Sequence, residues 1–219
     1  MKTAKRIAAT LALSMLATGV IGGSAAFAGP AVAGTPDTAP VPSTAELVTP
    51  GAGPQLVERH RQRVAQAADV STKAVSCWRN VSLYANANGR FVTAEVGYPG
   101  GDVNMLRARG TARGPWELYS VCRDNVYGVT TFAAQINAGI VSAEIGYPGG
   151  DNGMLRARAT EVGPWERYIS SGNPGTGWVW LRSLENSRYV SADIDKPGGD
   201  NGMLRARATV VGPWEYFSW

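Results

Sequence analysis

The chain has 219 residues, 21 basic against 17 acidic side chains, one histidine and two cysteines, for a formal net charge of +4. So little histidine and cysteine excludes a zinc cluster of ordinary ligand spacing and a Ser-His-Asp set assembled inside the repeated region described below. Three of the basic residues, Lys2, Lys5 and Arg6, lie in a leader without acids; without it the balance is 18 basic to 17 acidic, a net +1, which removes the electrostatic basis for binding nucleic acid or anionic membranes.

Residues 1–28 read as a secretory signal: a charged start, an apolar run from Ile7 to Val20, and Ala26-Phe27-Ala28 before the expected cut. The alternative is an uncleaved anchor, since the apolar run is long enough to be weighed as a span. Beyond it no segment is apolar enough for stable membrane insertion. Residues 29–54 are rich in Pro, Ala, Thr and Gly and read as a disordered linker. Residues 55–72 hold a short helix or linker. The stretch 55–68 lacks Gly and Pro, but Val57, Val64 and Ala68 give it only a thin apolar stripe, so weak docking or none is expected.

From residue 73 to 219 the chain repeats. Gly-Pro-Trp-Glu begins at 114, 163 and 212, a period of 49 residues, and PGGDNGMLRARAT at 148–160 and 197–209 has a blurred copy at 99–111. Leu83, Phe132 and Leu181 correspond, as do Val92, Val141 and Val190, and Leu106, Leu155 and Leu204. Within a copy the pattern alternates with period two, as in FVTAEV and MLRARG, and Pro-Gly-Gly-Asp marks the turn between these strands. A strand before and one from Trp116 to Ser120 give about four per copy and about twelve in all. Three such units are too few for a propeller, and the last copy is too regular for a solenoid cap. The expected fold is all-β, a closed β-trefoil, with a β-prism as the lesser option.

Asn88-Gly89-Arg90-Phe91-Val92-Thr93-Ala94, the Met-Leu-Arg-Ala-Arg strand and Gly-Pro-Trp-Glu-x-Tyr/Phe resemble the fascin-like, actin-crosslinking group of trefoil modules over roughly residues 77–219. The resemblance implies a trefoil without catalytic machinery that binds polymers: actin filaments in fascins, glycans in secreted modules. The chain departs from fascins in having one trefoil where they have four, and in an export signal that would keep it from cytoplasmic actin.

Candidate binding residues recur in threes. Trp116, Trp165 and Trp214 either stack on a sugar or plug the barrel floor. Glu117, Glu166 and Glu215 share a face with the aromatic at 119, 168 or 217 and are expected to be structural. The pairs Arg107/Arg109, Arg156/Arg158 and Arg205/Arg207 point away from the leucines; they suit carboxylate or sulfate, or they pair with Glu95, Glu144 and Asp193 on the partner strand. Asp102, Asp151 and Asp200 sit in the turns, where bonding to their own backbone is the default. Tyr98 and Tyr147 precede two of these turns, and Lys196 replaces them in the third.

Cys77 and Cys122 stand at the two ends of the first copy, on strands that neighbour each other in a trefoil, and are expected to form a disulfide in an oxidising compartment. No cofactor or metal is expected. The reading is a secreted, extracellular, monomeric and non-catalytic module that binds a polysaccharide or other extracellular polymer. A protein-interaction module, filament binder or inhibitor, is the alternative, and an enzyme a distant third.

Overall fold

The computed structural model describes residues 53–68 and 74–219. The expected signal lies outside these residues, as does the linker except for its last two positions, which open helix α1 (Gly53–Ala68). Fourteen strands follow in one sheet. The first copy holds β1 (Val75–Val81), β2 (Tyr84–Ala85), β3 (Arg90–Ala94), β4 (Leu106–Gly110) and β5 (Tyr119–Asp124); the second holds β6 (Val129–Ala134), β7 (Ile140–Glu144), β8 (Met154–Ala159) and β9 (Tyr168–Ser170). The third holds β10 (Trp178–Val179), β11 (Leu181–Ser183), β12 (Tyr189–Asp193), β13 (Met203–Ala208) and β14 (Phe217–Ser218). In the first and third copies the opening strand is broken in two, which accounts for fourteen strands where twelve are expected.

Opening and closing strands form a ring. β1 pairs β5, then β5–β6, β6–β9 and β9–β11 follow; β10 pairs β14, and β14 pairs β2. Because β1 runs into β2 and β10 into β11, the ring closes, which removes edges that would otherwise recruit other strands. The middle strands form hairpins β3–β4, β7–β8 and β12–β13, each with a register shift at the same place, Phe91/Val92, Ile140/Val141 and Tyr189/Val190. Such bulges bend a strand where a barrel turns its corner.

The alternation seen in the sequence puts one residue set inside. Leu83, Phe132 and Leu181, Val92, Val141 and Val190, and Leu106, Leu155 and Leu204 are all fully buried in one core. Tyr119 and Tyr168 join them, each donating its hydroxyl to a buried carbonyl, Val92 O at 3.1 Å and Val141 O at 3.3 Å. Burial pushes both phenols well above their ordinary pKa. The third copy has Phe217 there.

Two expectations are corrected. The segment opening at Trp116 is not yet strand: Pro115–Glu117 makes a single 3-10 turn, and β5 starts at Tyr119. Proline at the first position of that turn fixes φ and has no N–H to offer a ladder. Helix α1 is also not loosely attached. Val57, His60, Val64 and Ala65 are buried on one face, the i, i+3, i+7, i+8 pattern of an amphipathic helix, and the helix packs on β1 and β5. Its stripe looked thin because His60 and Ala65 were not counted in it, and Ala68, which was, is only partly buried. The imidazole sits between Ser120 Oγ at 3.0 Å and Thr131 Oγ1 at 2.7 Å. Val64 and Ala65 cover Val75 and Cys122, and Cys122 is joined to Cys77 by a disulfide, as expected, between directly opposed positions of β1 and β5. At the helix end Arg167 Nη2 donates to Ala67 O at 2.8 Å, satisfying one of the last unpaired carbonyls.

Candidate functional site

Around the axis each hairpin reaches into the next. Arg107 Nε donates to Asn201 O at 3.1 Å, Arg156 Nε to Val103 O at 2.9 Å and Arg205 Nε to Asn152 O at 3.2 Å. The backbone repeats the ring: Ala108 N to Gly202 O, Ala157 N to Asn104 O and Ala206 N to Gly153 O, at 2.7, 2.8 and 2.7 Å. Met105, Met154 and Met203 fill the axis, fully buried. The expectation that both arginines of each pair face solvent is therefore corrected for the first of each. Arg107 and Arg156 are 8% and 6% exposed and Arg205 is partly buried, because the second face of β4, β8 and β13 is covered by the neighbouring hairpin.

The residues flanking the turns belong to the same cap. Tyr98 packs over the Arg107 guanidinium at 5.5 Å, and a side chain at Gly199 of the third copy would collide with its hydroxyl. Tyr147 meets Gly101 of the first copy in the same way. Lys196, in third place, bridges Asp151 and Asp200. Burial opposes its charge, but the two carboxylates outweigh burial and raise its pKa. Asp151 thus joins the second copy to the third through Lys196, a contact beyond its expected turn role, while Asp200 pairs within its own copy.

The second arginine of each pair does reach solvent. Arg109 Nη2 donates to Glu95 Oε2 at 2.7 Å, and Arg207 Nε to Asp193 Oδ1 at 2.7 Å. Arg158 grips Glu144 with Nε and Nη2 at 2.7 and 2.8 Å, and the hydrogen-bonded carboxylate raises its pKa. The cross-strand pairing expected of Glu95, Glu144 and Asp193 is what the structure shows. One edge of each guanidinium is held there, yet the side chains of Arg109, Arg158 and Arg207 remain 52%, 42% and 43% exposed.

Each Gly-Pro-Trp-Glu segment forms a single turn. Gly114 N donates to Glu117 Oε2 at 2.9 Å; Gly163 and Gly212 do the same to Glu166 and Glu215 at 2.7 Å. The other carboxylate oxygen accepts from Thr93 Oγ1 at 2.8 Å, from Ser142 Oγ at 2.5 Å, or from Ser191 Oγ. The glutamates are buried and structural, and each closes its own turn back on its glycine. With Glu turned inward, the preceding tryptophan is turned out: Trp116, Trp165 and Trp214 are 48%, 39% and 38% exposed. None of the three belongs to the buried core. In the first copy Trp116, Arg109, Tyr98, Glu95 and Arg113 line a groove of about 700 Å³. Arg113 escaped the sequence reading; the signal was its break with the repeat, since Val162 and Val211 hold the equivalent positions.

No protein-family model and no curated protein matches the chain. Solved structures do. The designed threefold-symmetric protein ThreeFoil superposes with a TM-score of 0.51 at 12% identity, over 63% of this chain and 95% of its own. The fold is a β-trefoil. A Caenorhabditis elegans protein of unknown function gives a TM-score of 0.52 at 8% identity, over 68% of this chain and 97% of its own. An exo-beta-1,3-galactanase from Clostridium thermocellum gives 0.51 at 11%, over 64% of this chain and 29% of that enzyme. At such identities the likeness extends to the trefoil alone.

Proposed function

We propose that this trefoil is an exported, non-catalytic module that binds a carbohydrate polymer through its three tryptophan turns. One observation carries the reading: three half-exposed indoles, each on a like turn locked by its own buried glutamate, the first of them sharing a groove with an arginine already held at one edge. A rigid indole loses little freedom on stacking against a sugar ring. The arginine offers hydrogen bonds to hydroxyls without needing to be ordered first. Three weak sites on one rigid body suit a repetitive ligand, because contacts after the first are intramolecular. The galactanase that shares the fold over part of its length is consistent with such a ligand. Membership of the fascin-like group belongs to the same proposal and rests on the Asn88–Ala94, Met-Leu-Arg-Ala-Arg and Gly-Pro-Trp-Glu motifs.

The test is retention on a panel of insoluble polysaccharides at low and high salt. Stacking on neutral sugars is not screened, so at least one polymer should retain the protein at both ionic strengths. Failure of every polymer, or release from all of them by salt, would remove the reading.

A further inference from the structure

The third copy exposes aromatic rings that the other two lack. Strand β10 pairs β14 with Trp178 opposite Ser218 and Val179 opposite Phe217. Val179 and Phe217 are fully buried in the barrel, so the residues that alternate with them face outward. Trp178 is 55% exposed and Tyr216 39%. Tyr216 precedes Phe217 in extended backbone, φ −89° and ψ 129°. It is therefore the diagonal neighbour of Trp178 across the two strands, about 7–8 Å away. In the other direction Tyr216 is two residues from the half-exposed Trp214, and Glu215 between them is buried. Two residues of chain span at most about 7 Å. Trp214, Tyr216 and Trp178 thus form one track, running from the tryptophan turn onto the strand pair.

The track is not a by-product of the repeat. The place of Trp178 is taken by Asn80 in the first copy and Val129 in the second, and that of Tyr216 by Leu118 and Arg167. Arg167 is committed to the end of helix α1, where it donates to Ala67 O. Only the third turn continues into further rings. Half-exposed rings fill no core, and a contiguous row of them is the arrangement that marks a binding surface. Its size selects the occupant. At these exposures three rings present on the order of 200–350 Å², well below the ~800 Å² that each partner brings to a stable protein interface. A narrow row suits a narrow occupant, and a polymer strand lying on Trp214 meets Tyr216 and Trp178 next.

We infer that the third tryptophan turn is one end of an extended subsite that holds successive neutral sugar units of a single polymer strand. The inference rests on the carbohydrate reading above and deepens it. Each turn offers one indole, and the third goes on to stack further units on Tyr216 and Trp178. The flat rings match the apolar faces of pyranoses. The hydroxyls of Tyr216 and Ser218 can donate to or accept from sugar hydroxyls at the edges of the track. Two of the rings stand on paired or extended backbone, so little ordering is needed on binding. None of the track residues is charged, and the contact is insensitive to salt. A long oligosaccharide therefore binds more tightly than a short one of the same sugar.

The full chain would be assayed by depletion onto cellulose, xylan, chitin and curdlan, then titrated with the disaccharide and the hexasaccharide of each sugar that retains it. The wild type should bind the hexasaccharide about tenfold or more tightly than the disaccharide, because contacts after the first are intramolecular. W178A and Y216A keep all three tryptophan turns. Each should weaken the hexasaccharide about fivefold or more and narrow the preference for length, with a melting temperature close to that of the wild type. W178F, which restores a ring, should recover most of the loss. A retained protein that binds both lengths equally, that binds no hexasaccharide, or whose W178A and Y216A variants bind at full strength would overturn the track and leave the three-turn reading standing. Retention by none of the four polymers would remove both.

Discussion

Two single residues carry measurable consequences. His60 is held neutral: burial first, then the Arg63 charge, lowers its pKa from 6.5 to about 3. An unfolded histidine takes up its proton near 6.5, so between pH 6.5 and 3 the unfolded chain binds more protons than the folded one. The stability at stake is complete above pH 6.5 and declines as the pH falls. From pH 6.5 to 4.5, above the range of most carboxylates, the loss is about 2–3 kcal/mol, and the melting temperature should drop by roughly 5–10 °C. H60Q, neutral throughout, should show a much flatter profile; a slope equal to that of the wild type would mean His60 is not the titrating group. Gly153 is the second residue. It sits at φ +81°, and a Cβ there would lie 2.7 Å from Ala206 O. G153A combines a left-handed backbone with a clash against the ring of inter-hairpin bonds, and should cost about 2 kcal/mol or more in denaturant unfolding. A loss within ~0.5 kcal/mol, the scale of a surface change, would show that the axial ring is slack.

At the scale of elements, helix α1 is the one whose role the sequence left open. It places two valines and an alanine on the barrel and fixes His60 between Ser120 and Thr131. A chain beginning at residue 73 should therefore unfold with about 2–4 kcal/mol less stability than the full chain, the burial of those side chains less the entropy of ordering the helix. Equal midpoints, which the thin stripe suggested, would mean that helix and barrel fold independently. The hairpins teach a related lesson. Period-two alternation identified Leu106, Leu155 and Leu204 as core, because that judgement needs only the strand itself. It could not say what lies beyond the other face of β4, β8 and β13. There the neighbour is another copy 49 residues away, and it turned three of six candidate ligand arginines into bonds between repeats. The tryptophans were undecided for a similar reason: alternation put Glu117 on the face of Tyr119 and Trp116 on the other, but how much of the indole stays exposed depends on the turn that locks Glu117 to Gly114.

For the whole molecule, closure and cross-linking set stability, and the surface left over sets function. The disulfide between Cys77 and Cys122 spans 45 residues and should contribute about 4 kcal/mol through the entropy of the unfolded chain. Protein produced in an oxidising compartment should show no free thiol by alkylation and mass measurement, and reduction should lower its melting temperature; two alkylated cysteines before reduction would contradict the pairing. The period of 49 residues made the barrel legible, because a self-complementary repeat has few ways to close. The aromatic track of the third copy was not legible, since Trp178 and Tyr216 lie at opposite ends of that copy and only the pairing of β10 with β14 brings them together. The central claim is that three equivalent tryptophan turns act together on one polymer. Its most direct test is depletion of the protein onto a retaining polysaccharide by wild type, W165A and W116A/W165A/W214A, with melting temperature as a check on folding. The expected result is graded: W165A keeps a reduced share of retention, the triple variant loses it, and the half-exposed positions cost the fold only about 1 kcal/mol each. A folded triple variant that still binds its polymer at full strength would contradict the account.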